Sequence, residues 1–287
     1  MLALWALVLL SAILFAWIVR INEGIDGVQQ ANRSLEARAM AHSGLAVAMH
    51  PGVTKTSPHL NNRFDHGRSY RVTIESEGGR LNLNYLLAGG DPARLKFLKD
   101  YLALRGLTFH EREVLVDCLL DWTAPAGGTR RLNGVPEGPD YHPPHRPLQS
   151  VEEIAEVAGS GPLTSLPRWK DDLTLMSRGP LDLEGVSAEL LGLVPGIGAQ
   201  RAQQFVKTRK KLEGGRPDGR AFKDIPEALS YLGISQEQFS QLSGFLGFRD
   251  PVQRIRSKGA AGESVHELEV VVQKNGATSQ ILLWSEK

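Results

Sequence analysis

The sequence predicts an α+β protein in which one long N-terminal helix packs on a small antiparallel sheet, with a large helical insertion dividing that sheet. Three observations carry the prediction. An uncharged apolar run over residues 1–19 passes without a stop signal into an amphipathic pattern that reaches Ala48. Period-2 alternation starts at Tyr70 and returns near the C-terminus, between His266 and Trp284. The long stretch between them carries helix caps, prolines and glycines instead.

Leu2, Leu4, Leu7, Leu9, Leu10, Ile13, Phe15 and Ile18 dominate residues 1–19. At 1.5 Å per residue this run spans roughly 28 Å, close to the ~30 Å hydrocarbon core of a bilayer. A cleaved signal peptide would need a basic n-region, a shorter apolar stretch and a small-x-small site, and these are missing. A core helix would need a partner at the extreme N-terminus. The run therefore reads as a membrane anchor.

The helical pattern continues past Arg20. Ile21, Ile25, Val28, Asn32, Leu35 and Ala39 recur at spacings of three and four, opposite Arg20, Glu23, Asp26, Gln29, Arg33 and Glu36. Ala37, Ala39, Ala41, Ser43, Gly44, Ala46 and Ala48 follow, and Pro51-Gly52 ends the run. One continuous helix fits this pattern; an anchor plus a second helix, broken at Gly24 and Gly27, is the alternative.

Tyr70, Val72 and Ile74 alternate with Arg71, Thr73 and Glu75 as in a half-buried strand. Gly78-Gly79 reads as a turn, after which Leu81 and Leu83 alternate with Asn82 and Asn84. Near the C-terminus, His266–Gln273 and Ile281–Trp284 flank Asn275-Gly276, a strong hairpin signal. A lone hairpin is marginal in water, so the two ends are expected to share one sheet on the long helix. The middle is then inserted. The expected units are 1–19 (anchor), 20–90 (helix and first strands), 91–175 and 176–250 (two helical units) and 251–287 (strands completing the sheet).

Within the insertion, Asp91-Pro92 opens a helix to about Leu104, and the spacing of Thr108 and Glu111 marks a capping box for a second. Ser150 with Glu153 has the same spacing, for a helix stopping at Gly159. Between them, Thr123 to Pro147 is a proline- and glycine-rich loop, long enough to suggest function or ordering by an ion. Asp117, Asp121, Glu137 and Asp140 bracket it and could offer hard oxygen ligands to calcium; as helix caps and solvated carboxylates they need no metal.

Further on, Leu190–Leu193 ends a helix, Val194-Pro195-Gly196-Ile197-Gly198 turns the chain, and Ala199–Lys211 starts another. This is a helix-hairpin-helix pattern, whose glycines leave N–H groups open at a helix start. Lys207, Arg209, Lys210, Lys211, Arg216, Arg220 and Lys223 lie behind it. A phosphate-binding hairpin and a packing motif with a solvated basic face both fit, and no aromatic residues interleave to stack bases. Gly79-Arg80-Leu81-Asn82-Leu83-Asn84 and Gly179-Pro180-Leu181-Asp182-Leu183-Glu184 precede the two helical units in the same alternating form, as a duplicated module would.

The 287 residues suffice for two or three domains, and 41% hydrophobic with 23% charged residues is an ordinary globular balance. A formal charge of +1 gives no global pull towards nucleic acid or an anionic surface. Cys118 is the single cysteine, so internal disulfides and Cys-based zinc sites are excluded. None of the common hydrolase, metalloprotease or nucleotide-binding motifs is present, and the eight histidines are scattered, so a non-enzyme is expected.

The order of several segments carries a resemblance. Leu35-Glu36-Ala37-Arg38-Ala39-Met40-Ala41-His42-Ser43-Gly44 is followed by Glu77-Gly78-Gly79-Arg80-Leu81-Asn82-Leu83-Asn84. Then come Leu120-Asp121-Trp122, Arg146-Pro147 before Ser150-Val151-Glu152-Glu153, and the Pro195-Gly196-Ile197-Gly198 hairpin. In this order, over nearly the whole chain, they resemble the protein K family of the type II secretion system, the large minor pseudopilins.

The resemblance implies a pilin-like fold with an inserted helical domain containing a helix-hairpin-helix (SAM-like) unit. It implies a single-pass inner-membrane protein with its bulk in the periplasm, placed at the pseudopilus tip with the I and J minor pseudopilins and other pseudopilus subunits. Priming of assembly and contact with cargo or the outer-membrane channel would follow, with Ile21, Ile25, Val28, Leu35 and Ala39 packing against neighbouring pilin helices. No cofactor is required, calcium being the one candidate. A membrane-tethered DNA-uptake protein using Lys210, Lys211, Arg216 and Arg220 is the alternative; the family's helical modules bind protein, which counts against nucleic acid.

Three features depart from the family. Its precursors carry a basic leader ending in Gly, whereas Met1-Leu2-Ala3 opens on the apolar run, as expected of a mature, shortened or divergent chain. With Met1 as the first mature residue, Trp5 would stand where major pseudopilins have Glu, an exception usual in this family. Thr123-Ala124-Pro125-Ala126-Gly127 replaces the acid-rich loop that follows the Asp-Trp pair in calcium-binding members.

Overall fold

The computed structural model describes residues 2–213, 215–216, 219–275 and 278–286; for residues 2–4, 6, 8, 18, 19 and 21–26 it describes the backbone. Helix α1 runs unbroken from Leu2 to Met49, which removes the alternative of a break at Gly24 and Gly27. A three-residue edge strand β1 (Asn61–Arg63) and the longer β2 (Arg68–Ser76) follow.

The insertion leaves the sheet at the end of β2. It begins with the short strand β3 (Leu81–Asn82) and helices α2 (Leu83–Leu87), α3 (Pro92–Leu104) and α4 (Phe109–Thr123). After the long loop come α5 (Gly161–Thr164), β4 (Leu173–Thr174) and β5 (Leu181–Asp182). Helices α6 (Ala188–Gly192), α7 (Ala199–Glu213), α8 (Ile225–Leu232) and α9 (Gln236–Gln241) lead to β6 (Leu246–Gly247). The chain then returns to the sheet as β7 (Val252–Ala261), β8 (Ser264–Asn275) and β9 (Thr278–Glu286).

The five-stranded sheet has the order β1-β2-β7-β8-β9 and is antiparallel throughout. Both chain ends thus build one sheet, as expected. Its central strand, β7, is not among the strands anticipated from sequence. Besides Val252 it buries Ile255, Ser257, Gly259 and Ala261, which are mostly small because α1 lies directly against this strand, so its period-2 signal is weak. Ala37, Ala41, Leu45 and Ala48 of α1 are buried on the sheet beside Tyr70, Val72, Ile255, Leu268, Val270 and Val272.

Two expectations are corrected. Leu81–Asn84 does not form a hairpin with β2. Only Leu81 and Asn82 are extended, and they pair in parallel with Leu173 and Thr174, because β7 already fills that edge of β2 over nine residue pairs. The Asn82 side chain then accepts a bond from Tyr85 N and turns the chain into α2. Nor is Ser150–Gly159 an α-helix: Val151–Glu156 is a 3₁₀ turn. Ser150 accepts from Glu153 N at 3.3 Å, but the Glu153 carboxylate is held by Arg146 in a two-pronged ion pair, so the reciprocal arm of the box is absent. The other caps form as read. Asp91 accepts from Ala93 N and Arg94 N, and Thr108 and Glu111 make a complete box.

The repeated Gly-x-Leu-x-Leu segments have parallel structural roles. Leu81–Asn82 pairs with the strand that closes the first helical unit, and Leu181–Asp182 pairs with Leu246–Gly247, which closes the second. The units read as 91–175 and 176–250 share a single apolar core, running from Leu81 to Leu246 and including Phe97, Trp122, Phe205 and Phe222.

Candidate assembly interface

The surface of α1 comes first. At 100° per residue, Ala37, Ala41, Gly44 and Ala48 fall on one arc, facing the sheet. Val28, Leu35 and Ala39 fall on the opposite arc, and all three are exposed, Val28 and Leu35 by 63% and 64%. Ile21 and Ile25 continue this arc in sequence, but their side chains lie outside the described residues. Towards the N-terminus Trp5, Leu7, Leu9, Leu10, Ile13, Phe15 and Trp17 are exposed as well. Leu2, Leu4 and Ile18, expected in the anchor, are described by backbone alone. Among the described residues no helix is long and apolar enough to cross a membrane.

The second feature, missed from sequence, is the seam joining insertion to sheet. Glu77, at the end of β2, is fully buried, and Arg254 of β7 clasps its carboxylate through two bonds of 2.8 and 2.6 Å. Arg80 and the Thr174 hydroxyl complete its shell at 3.3 and 2.5 Å. Arg254 also reaches Glu269 of β8 at 2.6 Å, as Arg256 does at 2.5 Å. Burial alone would raise the Glu77 carboxyl; the Arg254 and Arg80 charges and the hydrogen bonds outweigh it and hold it below the ordinary carboxylate range.

Asp182 forms the other half of the seam. It accepts bonds from Ser76 Oγ at 2.6 Å, Glu184 N at 3.0 Å, Arg249 N at 2.8 Å and Asp250 N at 3.3 Å. The carboxyls of Glu184 and Asp250 are pushed up, chiefly by burial and also by the Asp182 charge. Gly79 lets these segments approach: a Cβ there would lie 2.7 Å from Gly185 O. Gly78-Gly79 forms the turn read from sequence, a 3₁₀ turn over Glu77–Gly79 with Arg80 N donating to Glu77 O at 3.2 Å, and is a packing contact as well. That Glu77 is followed by two glycines was the available signal.

A cleft of about 800 Å³ runs along this seam, lined by Lys55, Glu184, Arg209, Gln253 and Lys274 among others. Lys55 bridges it to Glu213 of α7 at 2.7 Å. The insertion therefore sits beside the loop that follows α1, far from the apolar N-terminal half of that helix.

The hairpin forms as expected. Gly196 and Gly198 both take left-handed φ values, 79° and 77°, Pro195 is exposed, and Ile197 plugs into the insertion core. The basic run behind it is partly consumed by structure. Arg209 is buried and donates to Leu183 O at 2.9 Å, and Arg216 pairs with Glu227 at 2.7 Å. Lys207, Lys210, Lys211 and Lys223 remain exposed, and Arg220 is also engaged.

The four carboxylates weighed for calcium do not form one cluster: Asp121 and Glu137 line one small cavity, without Asp117 or Asp140. Asp117 accepts from Asn133 N and Nδ2 at 3.0 and 2.8 Å, and Asp121 accepts from Arg131 N at 3.1 and 3.2 Å. Glu137 lies 3.1 Å from His145 Nε2, and Asp140 is exposed. In this arrangement the loop's N–H groups take up Asp117 Oδ2 and both oxygens of Asp121. Among the described residues no group of three or more His, Cys, Asp or Glu could hold one.

No family model matches the sequence, and no curated protein does. Among solved structures, the chain is similar to a chain of the GspK-GspI-GspJ complex from the enterotoxigenic Escherichia coli type 2 secretion system. The two are 15% identical with a TM-score of 0.59, over 93% of this chain and 99% of that one. The likeness covers most of the chain, and it shows that this chain has a pseudopilin-like α+β fold.

Proposed function

We propose that this chain is the large minor pseudopilin, the protein K component, of a type II secretion machine. In this reading residues 1–19 hold it in the inner membrane before assembly, the rest projects into the periplasm, and it works as a non-enzymatic tip subunit without a required cofactor. The observation that carries the reading is the division of labour along α1. One arc of its C-terminal half is buried on the sheet, while the opposite arc offers Val28, Leu35 and Ala39 to neighbouring helices. The insertion supports a tip position, because its bulk, tied to the loop after α1 by Lys55 and Glu213, stands where another stacked subunit would sit.

Membership of the similar chain in a complex with GspI and GspJ supports I and J components as partners. Pseudopilus priming and contact with cargo or the outer-membrane channel follow from a tip position. The full-length chain in detergent, incubated with the I and J components of the same genome and with duplex DNA in a parallel lane, tests the reading. A ternary complex without DNA retention is expected. DNA retention lost on removing the Lys210 and Lys211 charges, with no pseudopilin bound, would replace it with a DNA-uptake role.

A further inference from the structure

The two edges of the sheet are built differently. β1 is three residues long, polar and carries Arg63, the kind of short charged edge that resists pairing with other chains. β9 is nine residues long, and Thr278 to Ser285 carries no charge. Among the described residues nothing pairs with its outer side. Ile281, Leu283 and Trp284 are exposed along it. A register shift between Val271 and Val272 aligns Ile281 and Trp284 with Val272 and Val270 on the α1 side, and Leu283 with Val271 on the other. Both faces of this edge are therefore apolar, as suits a strand about to gain a neighbour.

We infer that β9 is a strand-addition site, and that its occupant is an extended segment of a different pilin-fold subunit. The inference rests on the assembly role proposed above and names the surface through which it works. The edge is continuous with the free arc of α1: Trp284 lies against His42, ring centroids 5.6 Å apart, and Glu286 pairs with Arg38 at 2.9 Å. Arg38 and His42 flank Leu35 and Ala39 on the helix. One neighbour can therefore add a strand to β9 and lay a helix on Val28, Leu35 and Ala39.

A second copy of this chain cannot do both. Antiparallel pairing of two β9 strands has its two-fold axis normal to the sheet, so the second α1 would point the opposite way, out of a shared membrane. Parallel pairing, with the axis along the strands, would put the second α1 on the other sheet face and leave the arc uncovered. The added segment is expected to be uncharged and apolar on alternate positions, matching what β9 offers.

Hydrogen exchange of the full-length chain, alone and with the I and J components, tests this. The expected result is a complex in which amides of 278–286 exchange at least tenfold more slowly. Ile281→Lys with Leu283→Lys, which places lysines on the edge, should weaken the complex by roughly tenfold or more, the equivalent of about 1.4 kcal/mol. Thr73→Lys, exposed on β2 and separated from β9 by β7 and β8, should not. A complex with unchanged exchange over 278–286 overturns the inference and leaves the proposed function standing; absence of any complex overturns both. Slowed exchange in the chain alone, with a dimer that the double lysine variant abolishes, overturns the choice of occupant. Should the double variant misfold, the wild-type exchange comparison still decides.

Discussion

The sheet half and the inserted half of this molecule are packed on opposite principles. Against the sheet, α1 contributes Ala37, Ala41, Gly44 and Ala48, and β7 answers with Ser257 and Gly259. Backbones meet there: a Cβ on Gly259 would lie 2.1 Å from Ala37 O, and Ser257 Oγ donates to Ala41 O at 2.6 Å. The insertion is filled instead by large side chains, with Phe97, Tyr101, Trp122, Phe205 and Phe222 among a dozen or more leucines. Close approach makes a rigid helix-on-sheet platform that leaves the outer arc of α1 undisturbed. Volume filling lets short helices and long loops share one core despite little regular structure.

The largest effect is expected where the two meet. Arg254→Ala leaves Glu77 buried without its two-pronged partner, and breaking a buried pair in this way costs about 3–5 kcal/mol. Urea unfolding measures it. Acid adds a second readout. Because the Glu77 carboxyl is held below its ordinary value of 4.5, its stabilisation is present above that pH and is lost as pH falls through the folded-state value. In Arg254→Ala only Arg80 is left of the two cations holding the carboxyl down while burial still raises it, so the fall of stability with acid from this group should weaken. A cost under about 1 kcal/mol would mean the seam is solvated and the two halves are independent.

Next come two substitutions of opposite sense. Phe205 stacks on Phe222 at 5.2 Å in the insertion core, and Phe205→Ala should cost about 3–5 kcal/mol through lost burial and the cavity left behind. Gly259→Ala adds one methyl group and should cost about 1–3 kcal/mol, because the α1 backbone has to lift. Hydrogen exchange locates each loss: in helices α3 to α8 for Phe205→Ala, and in α1, β7 and β8 for Gly259→Ala. If Gly259→Ala proves neutral, the helix is loosely seated and the contrast between the halves fails.

The same contrast explains what was legible in the sequence. Long-range alternation with bulky residues, at Tyr70–Ile74 and His266–Gln273, placed both ends of the sheet, and Asp91 and Thr108 placed their helices through local caps. β7 escaped because its core-facing positions are Ser257 and Gly259, whose value lies in what they leave out. The seam escaped because Glu77 and Arg254 are 177 positions apart, and a buried charge in sequence looks like any exposed one. Ser150 with Glu153 misled for a tertiary reason, since Arg146 draws the glutamate away. For the hairpin, spacing gave the correct turn but not the fate of Arg209, which faces inward to Leu183 O.

The smallest effect on stability is expected at Leu35. It stands on the outer arc of α1, 64% exposed, so Leu35→Ala should change stability by less than about 0.5 kcal/mol. On the proposed reading the same substitution removes an apolar contact from a neighbouring helix, and complex formation with the I and J components should weaken measurably at unchanged melting temperature. The pairing of results matters more than either alone. A melting temperature that falls with Leu35→Ala would mean the chain covers this arc with its own residues, and a platform with no free face could not receive a neighbour's helix. Unchanged stability together with unchanged assembly would leave the arc exposed but unused, and would shift the weight of the interface to the sheet edge at Trp284.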